Sequence, residues 1–220
     1  MTSSPCALPA PLPLSLAAAC VLAAAGLLAS FASHAQVHDY RIDPVHTRIM
    51  FGLDHAGFST ALGTVSGSTG WLAFDPSDWS SARVDVEIPL DRIELGNDDW
   101  NHAAKRMLDA GRYPGARFVS TSIAPVDAGH ASICGTLTLH GASQPLCLQA
   151  KINQLKRAPM PPFRQTVGFS ATTTLLRGDF GINDWQGMVG NAVELRIEVE
   201  AVRDGSAPQA GPTAAPESSP

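Results

Sequence analysis

Residues 192–202 read AVELRIEVEAV: Val193, Leu195, Ile197 and Val199 alternate with Glu194, Arg196, Glu198 and Glu200. A period of two places the first set on one face of a strand and the second on the other, so one face meets water and the other a core. The pattern recurs upstream. In RIMFGLDH (48–55), Ile49, Phe51 and Leu53 oppose Arg48, Met50 and Gly52; in RVDVEIPL (83–90), Val84, Val86 and Ile88 oppose Arg83, Asp85 and Glu87. ARFVSTSIAP (116–125) repeats it less sharply, with Phe118 sharing a side with Ala116, Ser120 and Ser122. SICGTLTLH (132–140) and PLCLQA (145–150) read as a hairpin, and VGFSATTTLL (167–176) supplies a further strand that carries Phe169.

Between the first of these strands and RVDVEIPL lies GTVSGSTGWLAFDP (63–76), with glycines at 63, 67 and 70 ahead of Trp71 and Phe74. Glycines inside a strand permit sharp bending or close backbone approach, which a small barrel needs at its corners. One stretch resists the strand reading. In NDDWNHAAKRMLDAGRYP (97–114), Trp100, Ala103, Ala104, Met107 and Leu108 recur at helical spacing, with Asp98 or Asp99 as the expected cap and Gly111 as the expected stop. Seven or eight strands and one short helix predict an all-β antiparallel fold, closed as a barrel or stacked as a sandwich.

The ends of the chain differ from its middle. Residues 1–35 hold no Asp, Glu, Lys or Arg, and Leu14 to Phe31 is almost wholly apolar, as in a secretion signal cleaved before Gln36. No basic residue precedes the apolar core, and its length also suits an uncleaved membrane anchor, which is the alternative. The Pro, Ala and Ser-rich end, residues 204–220, lacks the apolar bulk to fold and is expected to be disordered. The domain is therefore placed at 36–203, outside the cytoplasm. The net charge is −5 with no basic block, which argues against nucleic acid as a partner.

Cys134 and Cys147 remain after the leader. Alternation puts both on the face opposite Ile133, Leu137, Leu139, Leu146 and Leu148. A bridge across the hairpin needs a register that sets them nearly opposite, which sequence does not fix; two separately packed thiols are the alternative.

Residues 40–76, YRIDPVHTRIMFGLDHAGFSTALGTVSGSTGWLAFDP, resemble the opening of the YceI-like family of exported lipid- or polyisoprenoid-binding proteins, through Tyr40, Ile42, Asp43, His46, His55 and Gly57. Tyr113, Pro114 and Phe118 resemble its Tyr-Pro-x-x-x-Phe segment, Gly135 to Gly141 its central hairpin, and residues 167–201 its C-terminal third. The resemblance implies a lipocalin-like eight-stranded antiparallel β-barrel around an elongated apolar channel for a long isoprenoid or acyl chain. The helical stretch departs from the family pattern, with Leu108 near the place of an aromatic and Trp100 adding bulk, so a ubiquinone-type cargo does not carry over.

A channel of this kind works by removing apolar surface from water. The expected lining is Ile49, Phe51, Leu53, Phe74, Val84, Val86, Ile88, Phe118, Leu137, Leu139, Phe169, Leu195 and Ile197. Polar candidates for a head group at the mouth are His46, Asp54, His55, Arg177, Asp179 and Trp185. The competing expectation is a structural or interaction module whose core is solid. A metal-dependent enzyme is a third reading and would need His46 and His55 to converge, yet no tight His-x-His or His-x-x-x-His spacing accompanies them. There is no Gly-x-Ser-x-Gly elbow, and Gly178 to Gly181 reads as a turn rather than a kinase motif. No cofactor, metal or catalytic residue is assigned. The expected partner is an apolar or amphiphilic small molecule, with transient membrane contact for ligand exchange and homodimerisation left open.

Overall fold

The computed structural model describes residues 36–204. The expected leader lies outside them, as does the tail beyond Asp204. The strands are β1 (His38–Ile42), β2 (Arg48–His55), β3 (Ser59–Ser66), β4 (Thr69–Phe74), β5 (Arg83–Pro89), β6 (Ile93–Glu94), β7 (Gly115–Pro125), β8 (His130–Leu139), β9 (Ala142–Arg157), β10 (Gln165–Leu176) and β11 (Val189–Arg203). A single α-helix among the described residues, α1 (Asp98–Met107), follows β6.

Every pairing is antiparallel, and the ladder closes because β11 is long enough to hold two partners on one edge. Its Val193–Glu198 stretch pairs with β2, and Ala201–Arg203 pairs with β1. β1 and β2 thus fill one position in the wall, interrupted by the Asp43–Thr47 turn. β3 with β4, and β5 with β6, share positions in the same way, so the segments make an eight-stranded up-and-down barrel. The break between β3 and β4 falls at Gly67, whose φ of 80° bends the strand where other side chains are disfavoured. Closure satisfies the edges that a sandwich would leave open, which decides between the two architectures.

Some expectations about local structure change. Asn97, not Asp98 or Asp99, caps α1: it is extended, and its Oδ1 accepts from the amides of Asp99 (3.0 Å) and Trp100 (3.2 Å). The two aspartates lie in the first helical turn, where they favour the positive end of the helix dipole. The helix also stops before Gly111, because Asp109 takes a left-handed φ of 45°. Asp204, counted with the tail, is held against β1: Arg41 Nη2 lies 2.7 Å from its carboxylate, and its amide donates to Asp39 O.

The core forms two buried clusters. One contains Val65, Ile88, Leu90, Phe118, Leu139, Leu175 and Phe180, with α1 residues packed on it; the other contains Tyr40, Ile42, Leu72, Phe74, Trp79, Val167 and Ala201.

Candidate functional site

The inward faces of the strands do not meet in a solid core. They line a cavity of about 570 Å³ whose walls are almost entirely apolar. Register explains the lining. β11 sets Val193, Leu195 and Ile197 beside Leu53, Phe51 and Ile49 of β2, while Val86 of β5 faces Phe118 of β7, which faces Leu137 of β8. All thirteen apolar residues expected at the lining are found there.

Two glycines make room for the largest of these side chains. A Cβ on Gly63 would overlap the ring of Phe51, and one on Gly135 would overlap both the ring of Phe118 and the carbonyl oxygen of Val119. The tip of each ring therefore sits over the bare backbone of the next strand, in space that a Cβ would take.

Alternation fails in β7. A bulge between Ser120 and Ser122 gives the strand an extra residue, so Ile123 turns inward although it has the opposite parity to Phe118. Trp79 also lines the cavity. It sits in a short 3₁₀ turn (Trp79–Ser81) without strand periodicity, and the one sequence signal was a tryptophan set among Asp and Ser residues. With Phe74 and Phe169 it forms a set of edge-to-face contacts at 5.2–6.0 Å between ring centroids. Phe74 and Trp79 are buried, so this cluster closes one end of the bore.

At the other end the lining reaches the surface through Trp100, Trp185 and Met188, which are 43%, 63% and 48% exposed. These come from α1 and from the Trp185–Met188 turn, which binds the β2–β3 hairpin through Ala56 N to Met188 O at 2.7 Å. Trp100 packs on His55 with ring centroids 5.2 Å apart.

Asp54, His55, Arg177 and Trp185 lie at the cavity, as expected of mouth residues; His46 and Asp179 do not. His46 lies in the β1–β2 turn, two residues before the strand that His55 ends, and its Nδ1 bonds Asp43 Oδ2 at 2.8 Å. That bond, with the nearby charges of Asp43 and Glu200, raises the imidazole pKa. For Asp43, burial pushes upward, but hydrogen bonds from His46 and from the amides of Val45 and His46 prevail and lower its pKa. The two histidines are thus separated by the length of β2. Among the described residues no three His, Cys, Asp or Glu side chains come close enough to hold a metal ion. Asp179 is exposed and contributes its carbonyl to Gln144.

Arg177 is 4% exposed and has no carboxylate partner among the described residues. Its Nε, Nη1 and Nη2 donate to the carbonyls of Gly190 (2.9 Å), Ile182 (2.7 Å) and Val189 (2.8 Å). It staples the Phe180–Gly190 segment to the end of β10 and still has N–H donors to spare. Gly181, with φ of 73°, completes the turn read at residues 178–181. Ser68 also lines the cavity; its Oγ is fully buried and has no hydrogen-bond partner among the described residues.

On the outer wall, Cys134 and Cys147 are directly opposite in the β8–β9 ladder, with Cα atoms 4.0 Å apart and the sulfurs bonded.

A closed antiparallel barrel with a greasy bore and one aromatic mouth defines a binding protein for apolar or amphiphilic molecules. The chain belongs to the family of the YceI-like domain, which matches residues 40–201. It is 32% identical over 176 residues to the UPF0312 protein of Pseudomonas savastanoi pv. phaseolicola, covering 78% of this chain and 90% of that protein. Its fold matches the crystal structure of Burkholderia cenocepacia BcnA with a TM-score of 0.64 at 19% identity, over 72% of this chain and 98% of the other. It also matches a polyisoprenoid binding domain from Saccharophagus degradans with a TM-score of 0.58 at 12% identity, over 77% of this chain and all of that one.

Proposed function

We propose that this protein sequesters and carries, outside the cytoplasm, one long-chain amphiphile of isoprenoid or fatty-acyl type. The tail lies in the bore and the polar end at the Trp100–Trp185 mouth. The observation that carries the reading is the cavity of about 570 Å³ with apolar walls, within the range of small-molecule sites. The lining runs along β11 from Val189 to Val199, which at the usual strand rise and barrel tilt is about 25 Å of axial depth. That depth suits an extended chain better than a compact ring system. The disulfide supports an oxidising compartment. The fold likeness to a polyisoprenoid binding domain supports the isoprenoid class without choosing it over acyl chains.

Arg177, His55 and Ser68 are, with Asp54 and Thr47, polar groups of the lining available to such a ligand. Arg177 and His55 serve the head group near the mouth, and the buried Ser68 hydroxyl serves an oxygen along the chain. The test is mass spectrometry of organic extracts from the purified protein, with uptake of fluorescent acyl and isoprenoid probes. One lipid per protein is expected, and Leu195→Trp, which adds bulk inside the bore, should lower the load without unfolding the barrel. Ser68→Ala should leave the empty protein as stable or slightly more so, because it removes an unsatisfied buried hydroxyl, yet weaken probe binding. Absence of extractable lipid together with no probe uptake sinks the proposal.

A further inference from the structure

The β9–β10 hairpin carries a feature that the bore does not explain. β9 pairs with β8 only as far as Lys151, and β10 pairs with β11 only from Thr166 onward; Ile152 and Leu155 still pack on the barrel core, so it is from Lys156, at its base, to Gln165 that the hairpin extends past the wall as a two-stranded ribbon. The ribbon ends in a tight turn closed by Ala158 N to Arg164 O and Phe163 N to Met160 O, each 2.9 Å. Its tip is Met160-Pro161-Pro162-Phe163, with Met160 71% and Phe163 51% exposed. Lys156, Arg157 and Arg164 frame this apolar tip; all three are exposed, and none forms an ion pair among the described residues.

Along this stretch of the chain the charge is one-sided. No Asp or Glu occurs between Asp127 and Asp179, although the whole chain carries a net charge of −5. Lys156 and Arg157 are consecutive in a strand and project to opposite faces of the ribbon, so the positive charge surrounds the tip.

We propose that the tip of the β9–β10 hairpin docks on lipid bilayers that carry anionic head groups. Met160 and Phe163 would enter the head-group boundary while Lys156, Arg157 and Arg164 lie against the lipid phosphates. Charge complementarity chooses this occupant. The tip is also too narrow for the roughly 800 Å² per partner that a stable protein interface buries, whereas shallow insertion needs only a few apolar side chains. Docking is a property of the surface and holds whatever fills the bore.

The test is co-sedimentation of the purified protein with vesicles of phosphatidylcholine alone or mixed with phosphatidylglycerol. Partition to the mixed vesicles should exceed that to phosphatidylcholine and should collapse at about 1 M salt, where the screening length is roughly 3 Å. Replacing all three cations, K156Q with R157Q and R164Q, should cost about a hundredfold in partition, near fivefold per charge. M160S with F163S should weaken binding but keep the preference for phosphatidylglycerol, and it serves as the second test should the triple variant fail to melt like the parent in circular dichroism. R92Q with R106Q and R112Q, an equal charge change elsewhere on the surface, should leave partition unchanged. Equal binding to both vesicle types, an equal loss in this control, or retention by soluble polyglutamate without vesicle binding overturns the proposal. A protein that ignores vesicles yet carries extractable lipid loses only the docking, and one that docks yet is empty loses only the cargo.

Discussion

At the residue scale, the bore depends on what two positions lack. Gly63 and Gly135 let the rings of Phe51 and Phe118 lie against neighbouring backbone, and the two should respond differently to a methyl group. In Gly63→Ala the nearest contacts of the new Cβ are all atoms of the movable Phe51 ring, which must swing into the bore; the variant should lose probe capacity with a modest stability cost of about 1–2 kcal/mol. In Gly135→Ala the Cβ also meets the Val119 carbonyl, which the ladder fixes, so chemical denaturation should report a larger loss, about 2–3 kcal/mol. Equal effects on stability would contradict the geometry. Sequence revealed glycines in strands and the bending they allow, but not which ring each one accommodates, because that needs the cross-strand register. The same limit applies to Ser68, one of many serines until its neighbours are known.

At the element scale, α1 is fastened beside the mouth by Asn101. Its Oδ1 accepts the Leu95 amide at 2.7 Å, and its Nδ2 donates to Glu94 Oε2 at 2.9 Å. The Asn101 bond, with a second from the Gly96 amide, lowers the Glu94 pKa. A carboxyl lowered on folding contributes stability that is complete above its unfolded pKa and disappears as pH falls through its folded one. Hydrogen exchange of the α1 amides should therefore quicken in acid, below the ordinary Glu range, before the barrel melts, and Asn101→Ala should remove that step. No change in α1 exchange down to global unfolding would refute this.

The elements were unequally legible. β2, β5 and β11 announce themselves because one face is charged and the other aliphatic. β7 hides an inward Ile123 behind a bulge that no local signal marks. Helical spacing located α1, but its cap was misread because Asn97, Asp98 and Asp99 are all good N-caps, and only backbone conformation tells the cap from the first turn.

At the scale of the whole molecule, the barrel was legible as an antiparallel sheet and, through the resemblance, as eight strands. Closure itself lies in pairings between β11 and the distant β1 and β2, and the sheet pattern alone left barrel and sandwich both open. The hollow was legible only through the resemblance, since the same inward residues taken by themselves serve a solid core equally well; volume is a property of their joint packing. The disulfide sits between these cases, because both cysteines were placed on the outer face but their pairing awaited the register. Cys134→Ala with Cys147→Ala opens a loop of sequence separation 13, which in the chain-entropy account costs about 3 kcal/mol. For a domain of this size that should lower the melting temperature by roughly 6–12 °C, measured against the parent with and without reductant. A reductant-insensitive parent that matches the double variant would show that the bridge does not stabilise the fold.

The cluster of Phe74, Trp79 and Phe169 makes the bore a blind alley. A guest that can leave only by the way it came must back out, so whichever terminus went in last emerges first. In the carrier role proposed above, the orientation chosen at loading would be preserved until delivery, and any recipient would meet the same terminus of the guest each time. A carrier with two open ends would have to secure that polarity by other means.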